Sequence, residues 1–585
     1  MMKKILVANR SEIAERVIRT AHDMGMKAVS VYADADREAQ FVEDADSAYA
    51  LEGTAYADTY MNIEKIIAIA KRSHADAVHP GYGFLSEVPE FATAVIEAGL
   101  TWIGPAPAVL HRLGDKIQAR RLAESVGVAP VPGVSDPVQG RAGVDEFVAR
   151  FGFPIVTKKA DGGGGRGITI HNEAADLDRF FAAHGADLDS YFVERFIRTA
   201  RHIETQSARD SHGNFAVIST RDCSAQRRNQ KLIEEAPAPL LPGNAEAIVT
   251  EWSRRLFEAV DYVGLGTCEF LVEPDGRVNF LEVNPRLQVE HTVSEEVTGM
   301  DLVREQILIA SGAELSQVPA PRAHSFEFRI TCEDPATGMV PSTGTIEKIR
   351  WPLGHGVRIE SGIEEGDIVT ADFDPMLAKL VVTAPDREQA IARSRRALAE
   401  LQITGVATPC AMYRDVLAME DFAGHIPSTR WLEDTVLPAY ENTQAVATPA
   451  PVKDEEPRHT FVIEVDGRRM RMTLPAALIA TGSHVARRTL QPRRSQAASR
   501  TAMPAQDLTD PSGMVNSPIQ AIVVRVVVEP GDKVHEGDLL VVLESMKMES
   551  YVYSPRDGEV TDVEVRAGAT VAAFQPLVRV VGSDA

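Results

Sequence analysis

The sequence predicts an α/β multidomain chain that ends in a small all-β unit, and three observations carry that reading. An apolar strand, an amphipathic helix and a second strand follow one another between Lys4 and Tyr32. Strands alternate about Asp275-Gly276 in the middle of the chain, and roughly the last seventy residues repeat internally. At 585 residues and 44% hydrophobic, the chain corresponds to about four domains, each with enough apolar material for a core.

The opening strand is Ile5 to Ala8, a helical stretch runs from Glu12 to Met24 with Gly25 as its stop, and Lys27 to Tyr32 returns as a strand. The intervening turn, Asn9-Arg10-Ser11-Glu12, has no G-x-G-x-x-G, so the fingerprint of a dinucleotide-dependent oxidoreductase is missing. Ile5 to Ala8 is too short for a signal peptide or a membrane span, which implies a cytoplasmic protein. With 61 basic against 84 acidic residues and a net charge of −23, binding to nucleic acid or to anionic lipid is disfavoured. Cys223, Cys268, Cys332 and Cys410 lie far apart without CxxC spacing, which argues for reduced thiols rather than disulfides or structural zinc.

From Pro154 a strand runs into Gly162, Gly163, Gly164 and Gly165. Such a loop lets backbone N–H groups approach phosphate oxygens while Lys158 or Lys159 supplies charge, although a glycine run also serves as a plain linker. The lysines precede the glycines, so this is not a P-loop.

Cys268 to Asn284 reads as a hairpin with Asp275-Gly276 as a two-residue turn. That register sets Glu269 opposite Glu282 and puts Asn284 on their face, together with Leu271 and Phe280. Opposed carboxylates repel unless a cation lies between them, and hard oxygen donors suit Mg²⁺ or Mn²⁺. Arg286, Gln288 and Glu290 then recur with period two, so an extended segment points all three to one side, as an oxyanion pocket or as a surface charge ladder. Arg329 lies in another alternating stretch, where it either serves a site or pairs with Glu327.

After residue 438, Thr443 to Pro457 has linker composition, Thr460 to Leu474 alternates about Asp466-Gly467 as a hairpin, and Ser483 to Gly513 carries five arginines from Arg487 to Arg500. That stretch reads as a solvated tether or as a contact for an acidic surface. An offset of 37 then carries Ser517-Pro518 to Ser554-Pro555, Gly531 to Gly568, Val534 to Val571 and Leu540-Val541 to Leu577-Val578. Between the copies, Glu544-Ser545-Met546-Lys547-Met548-Glu549 places a lysine between two methionines on a protruding turn.

This segment resembles the biotin attachment site of biotin carboxyl carrier domains, with Lys547 as the biotinylated residue. Ala521 stands where that family usually has glycine, and Ser545 where alanine is commoner. The Ala8-Asn9-Arg10 turn, His79 to Glu87 (HPGYGFLSE), Arg221 to Arg228 and Glu282 to His291 (EVNPRLQVEH) resemble the biotin carboxylase family of ATP-grasp enzymes over roughly residues 2 to 438. Together they identify the chain as similar to the α subunit of an actinobacterial-type acyl-CoA carboxylase.

The resemblance implies a Rossmann-like N-terminal domain (1–115), an ATP-grasp domain with a mobile lid (116–325) and a biotin carboxylase C-terminal domain (326–438). Linkers with a hairpin at 460–474 would follow (439–513), then a hammerhead biotinyl domain (514–582). It implies ATP- and bicarbonate-dependent carboxylation of biotin on the chain's own carrier. The alternative is a carrier and assembly subunit with a degenerate ATP site.

By the same resemblance ATP meets Lys116, Lys158, Gly162 to Gly165, Glu194, His202 and Gln226, with the metal at Glu269, Glu282 and Asn284. Bicarbonate meets Lys231, Arg286, Gln288 and the Val289 backbone, Glu290 is the general base, Arg329 stabilises the enolate of biotin, and Tyr82 and Gly83 border the biotin pocket. Implied partners are a separate carboxyltransferase β subunit, a biotin protein ligase and further copies of the carboxylase body. Asn229 stands where a phosphate-contacting histidine is usual and Ser11 where glycine is usual, while Lys159 and Asp161 alter the flap entrance. Asn229 donates a hydrogen bond but carries no charge, so weaker ATP binding is expected.

Overall fold

The computed structural model describes residues 2–134, 140–159, 168–184, 191–370, 373–425, 428–438, 458–465, 468–475, 513–518, 521–545, 548–571 and 575–582. They belong to two units, one formed by 1–440 with 507–585 and the other by 441–506.

The first unit begins with five parallel strands, β1 (Lys4–Val7), β2 (Lys27–Tyr32), β3 (Ser47–Ala50), β4 (Ala77–His79) and β5 (Thr101–Trp102), in the order β3-β2-β1-β4-β5. Helix α1 (Ser11–Asp23) starts and ends one residue earlier than its apolar spacing predicts. It buries Ile13, Ala14, Val17, Ile18 and Ala21 against Ile5 and Val7 of β1. Gly25 follows at φ +70, the left-handed geometry that stops the helix.

A three-stranded antiparallel subdomain, β6 (Ile155–Lys159), β7 (Ile168–His171) and β8 (Tyr191–Arg195), is ordered β7-β6-β8. The helices Gly140–Phe151 and Ala174–His184 share its core through Val144, Phe147, Leu177 and Phe180. The largest sheet is antiparallel throughout. It comprises β9 (Arg201–Arg209), β10 (Phe215–Arg227), β11 (Gln230–Ala236), β12 (Gly264–Val272), β13 (Val278–Asn284) and β14 (His324–Thr331), with two later strands, Val357–Ser361 and Met376–Ala384. Their order is β13-β12-β9-β10-β11-β14, then 376–384 and 357–361. One sheet therefore joins strands from within 201–284 to strands from within 324–384 and places side chains from both on one face.

The C-terminal unit realises the 37-residue repeat as two four-stranded sheets. One orders Met514–Asn516, Pro576–Val581, Gly558–Val563 and Lys533–Val534; the other orders Met548–Tyr553, Leu539–Ser545, Ala521–Val526 and Thr570–Val571. Each sheet is the other's image under the repeat offset, and Gly531 and Gly568, equivalent under it, both have positive φ, +100 and +82. Val523, Val541, Leu543, Val560, Val578 and Val580 fill the shared core.

In the second unit Arg458–Val465 pairs antiparallel with Arg468–Pro475. Asp466-Gly467, Gly162 to Gly165, Asp161, Lys547 and the arginine-rich tether lie outside the described residues. Among the described residues no helix is long and apolar enough to cross a membrane.

Candidate active site

Glu269 of β12 does lie opposite Glu282 of β13, but the hairpin reaches that register differently from the prediction. Glu273 N–H bonds Arg277 O at 2.9 Å, so the turn holds three residues, with Gly276 at φ +87. This shifts Phe270 opposite Phe280 and Leu271 opposite Asn279, and a bulge at Leu281 restores the Glu269–Glu282 pairing. Phe280 consequently packs with Phe270 in the core beneath the sheet, whereas Leu271 and Leu281 pack against Val131, Ile197 and Ala200. The shared face of Leu271 and Phe280 read from the sequence is corrected accordingly.

The opposed glutamates are compensated by lysines. Glu269 Oε1 accepts from Lys231 Nζ at 3.0 Å, Asn284 Nδ2 at 2.7 Å and Gln288 Nε2 at 3.1 Å, and Glu282 Oε2 lies 3.6 Å from Lys116 Nζ. Burial pushes the Glu282 carboxyl up, but Lys116, Lys158 and Lys231 hold it below the ordinary carboxylate range. Two carboxylates on adjacent strands with a neighbouring amide are a donor set that suits Mg²⁺. His202, Glu204 and Glu269 also bring ligand atoms within 4.8 Å of one another. His202 is the poorer metal ligand: burial lowers its pKa, yet Glu269 and Glu204 raise it to about 9, so the imidazole stays protonated.

The centre of the site is a buried chain of alternating charge from Arg221 to Arg329 that ends on the Glu234 carboxyl. Arg221 donates to Glu204 Oε2 at 2.9 Å, and Lys231 contacts the other Glu204 oxygen. Lys231 also donates to Glu290 Oε1 at 2.7 Å. Glu290 Oε2 accepts from Arg329 Nη2 at 2.9 Å, and Arg329 Nε donates to Glu234 Oε1 at 2.6 Å. Burial disfavours the Lys231 ammonium, but Glu204, Glu269 and Glu290 hold its pKa well above the ordinary lysine value. Burial likewise raises Glu290, and Lys231 and Arg329 more than offset it, so its carboxyl is ionised below the usual range. Arg329 therefore pairs with Glu234 and Glu290 rather than Glu327, which accepts a hydrogen bond from Thr292.

The segment from Arg286 to Glu290 is a loop, not the extended strand that period two suggests. The side chains converge all the same. Arg286 Nη1 donates to Gln288 Oε1 at 3.0 Å, its Nη2 donates to Asn284 Oδ1 at 3.2 Å, and Glu87 meets its Nε. Leu287 is fully buried among Val17, Leu265 and Ile307, which anchors the loop. Glu290 forms the cap of the helix His291–Thr298.

Further along, Lys158 Nζ lies 2.5 Å from Glu194 Oε2, and Arg120 Nη1 holds Glu194 Oε1 at 2.7 Å. The Gln226 amide lies 3.2 Å from His202 Nδ1, and His202 Nε2 is 3.0 Å from Glu269 Oε2. Asn229 occupies the exposed β10–β11 turn at φ +62, two residues from Lys231. Asn9 Nδ2 donates to the carbonyls of Pro80 (2.7 Å) and Tyr82 (2.8 Å), which fixes the loop bearing Tyr82 and Gly83. A Cβ on Gly81, at φ +63, would stand 2.8 Å from that nitrogen, so glycine is required there. The Tyr82 hydroxyl is buried without a hydrogen-bond partner among the described residues.

Sequence reasoning missed Glu204, Glu234, Glu87, Arg120 and Lys379. Glu204 and Glu234 sit on β9 and β11, and nothing local shows that β9, β11 and β14 share a sheet.

Four family descriptions match the chain. They are "Biotin carboxylase, N-terminal domain" over 1–110, "Carbamoyl-phosphate synthase L chain, ATP binding domain" over 115–318, "Biotin carboxylase C-terminal domain" over 327–434 and "Biotin-requiring enzyme" over 510–580. The chain is 42% identical over 590 residues to the biotin-dependent acyl-coenzyme A carboxylase alpha3 subunit of Mycobacterium leprae, covering 97% of each. It is 40% identical to the biotin carboxylase of Halalkalibacterium halodurans over 71% of this chain and 94% of that one. Among solved structures, a biotin carboxylase–ATP complex from Campylobacter jejuni superposes with a TM-score of 0.72 at 38% identity, over 74% of this chain and 99% of that one. The biotin carboxylase domain dimer of Hydrogenobacter thermophilus 2-oxoglutarate carboxylase, with MgADP, ADP and bicarbonate, gives 0.71 at 38% identity, over 74% and 98%.

Proposed function

The chain belongs to the family of biotin-dependent acyl-CoA carboxylase α subunits, and from that premise we propose how its residues divide the work. The activity is ATP-dependent carboxylation of biotin, with bicarbonate as carbon source and Mg²⁺ with the nucleotide; the chain is a ligase. The alternative of a carrier with a degenerate ATP site is not favoured, because the relatives that match most of the body are biotin carboxylases.

Glu290 is the base that removes the bicarbonate proton. The observation that carries this is its geometry: a fully buried carboxylate kept ionised between Lys231 and Arg329 at 2.7 and 2.9 Å. Arg286 and Gln288, on the same loop, orient the oxyanion, and the Val289 backbone borders it. The deprotonated bicarbonate oxygen attacks the γ-phosphorus of ATP, ADP leaves, and carboxyphosphate forms. Lys116, Lys158 and His202 offset the charge that builds on the phosphates, with Gln226 beside them. Glu269, Glu282 and Asn284 would hold the Mg²⁺.

Biotin, attached at Lys547, would supply the ureido nitrogen that accepts the carboxyl group as carboxyphosphate gives up phosphate, which takes the nitrogen's proton. Arg329, its guanidinium fixed by Glu234, would stabilise the enolate of deprotonated biotin, and Tyr82 and Gly83 would border the pocket. A separate carboxyltransferase subunit takes the carboxyl group on to an acyl-CoA, a biotin protein ligase modifies Lys547, the carboxylase body self-associates, and the protein works in the cytoplasm.

Bicarbonate-dependent ADP release by the purified chain, with and without free biotin, tests the reading. Release that requires bicarbonate, rises with biotin and vanishes in Glu290→Gln supports it. Release indifferent to bicarbonate refutes it.

A further inference from the structure

We propose that the carrier is seated on the carboxylase body by an aromatic clamp, in which Tyr551 and Tyr553 close on Arg228 at the β10–β11 turn. The inference rests on the reading that Lys547 carries the biotin.

The turn is built to protrude. Arg228 and Asn229 link β10 to β11 at φ +49 and +62, the two consecutive left-handed residues of a tight hairpin, and both are exposed. The body fixes the turn from below: the Arg228 backbone N–H donates to Glu433, which Arg430 holds in turn, and Arg227 Nη2 donates to Gly338 O at 2.6 Å. The Arg228 side chain is thereby left to point outward from an anchored backbone.

The carrier meets it with two aromatic rings. Tyr551 and Tyr553 are two apart on Met548–Tyr553, so they share a face of the strand, and their rings stack with centroids 6.4 Å apart and planes 19° apart. The Arg228 guanidinium carbon lies 4.1 Å from the Tyr551 ring centroid, and Arg228 Nη2 is 3.5 Å from the Tyr553 hydroxyl. A planar cation over one ring with an N–H reaching the next hydroxyl is cation–π recognition, which Arg makes better than Lys. Tyr553 remains 43% exposed, so the contact is a rim that opens and closes rather than a fused core.

Its position ties the clamp to the reaction. Gln226 and Lys231 are cross-strand partners directly below the turn, so Arg228 is at most roughly 10 Å of chain from Lys231. Lys547 precedes Tyr551 by four residues in sequence, at most roughly 13 Å of extended chain. The clamp holds the carrier against the β10–β11 hairpin that bears Lys231 instead of leaving it at the end of a long tether, which raises its effective concentration there. It also selects for this chain's own carrier, since a carrier without aromatic residues at both positions gives Arg228 nothing to stack on.

The test uses the full-length biotinylated chain, the double variant Tyr551→Ser/Tyr553→Ser, Arg228→Ala, and all three substitutions together. Intact mass first establishes equal biotinylation, because the tyrosines lie close to Lys547. Two rates follow: single-turnover transfer of label from ¹⁴C-bicarbonate to the protein with ATP, and ADP release stimulated by free biotin. The expected result is labelling slowed about tenfold in the double variant and in Arg228→Ala, and no further in the combination. The free-biotin rate should stay within about twofold, and Tyr551→Phe, which keeps the ring face, should retain most of the labelling rate.

Unchanged labelling, losses that multiply in the combined variant, or an equal loss with free biotin would overturn the clamp. A wild-type chain with neither reaction would refute the function itself and the clamp with it. Free-biotin turnover without the expected labelling defects would refute the clamp alone.

Discussion

Lys379 Nζ donates to the carbonyl oxygen of Val289 at 3.0 Å, which ties the C-terminal part of the large sheet to the residue preceding Glu290, the proposed base. The same ammonium lies 3.1 Å from Glu12 Oε2 and 5.7 Å from the Tyr82 ring centroid, and Lys379 is fully buried. One cation thus braces the Arg286 to Glu290 loop, the start of α1 and Tyr82, the proposed wall of the biotin pocket. Burial pushes the Glu12 carboxyl up to about 7, even with Lys379 opposing. Lys379→Met is expected to raise the KM for bicarbonate while leaving that for ATP near its original value. It should also destabilise the chain by about 3 kcal/mol at pH 8, and less at pH 6, where the stranded carboxyl takes up a proton. Thermal unfolding with Lys379→Met/Glu12→Gln checks the cause: the second substitution should restore much of the loss.

Glu290 makes a sharper kinetic case. Glu290→Gln keeps the shape and removes the base, so bicarbonate-dependent ATP cleavage should fall by about 10² or more, while nucleotide affinity changes only a few-fold. Because Lys231 and Arg329 depress the Glu290 pKa, the base remains ionised through the weakly acidic range. The pH profile of kcat/KM for bicarbonate should then show no acid limb from this residue above about pH 5. An acid limb near neutrality that Glu290→Gln eliminates would assign the base a raised pKa and contradict the geometry.

Glu327 and Glu234 face each other across β14 and β11, and burial raises them to about 7 and about 8. A carboxyl whose folded pKa lies above its unfolded value contributes stability at low pH and loses it as pH rises through the folded pKa. The wild-type chain should accordingly lose stability between about pH 4.5 and pH 7 on account of Glu327, by up to about 3 kcal/mol. Glu327→Gln, which imitates the protonated form, should flatten that decline in denaturant unfolding curves measured across the range. An unchanged slope would mean that Arg329 and Lys379 already hold both carboxylates ionised.

Much of this site was legible because its residues are neighbours in sequence. The opposition of Glu269 and Glu282 follows from a hairpin, and the convergence of Arg286, Gln288 and Glu290 follows from close spacing, although the real turn has three residues and the real segment is a loop. The two errors in the hairpin cancel at Glu269 because the bulge at Leu281 absorbs the residue that the longer turn displaces. Partners contributed by distant strands were not legible: Glu204 from β9, Glu234 from β11 and Lys379 from Met376–Ala384 join Glu290 only once the strand order of the sheet is known. The repeat carried further, since an offset of 37 matches four pairs of strands and so dictates two equivalent sheets.

Ser11 shows a departure at the sequence level acquiring a structural cause. Its φ is +57, the left-handed region where a side chain costs on the order of 1 kcal/mol and glycine is at ease. Close packing compounds the strain: a Cβ built on Gly362 would collide with the Ser11 Oγ and stand 2.8 Å from the Glu12 nitrogen. Ser11→Gly relieves the backbone and also loosens the unfolded chain, so the net gain should be no more than about 0.5 kcal/mol, seen as a small rise in the apparent Tm. Gly362→Ala should destabilise the wild-type chain markedly and the Ser11→Gly chain less, because only the backbone part of the clash remains there. Two losses of equal size would show that Ser11 and Gly362 do not share this contact in solution.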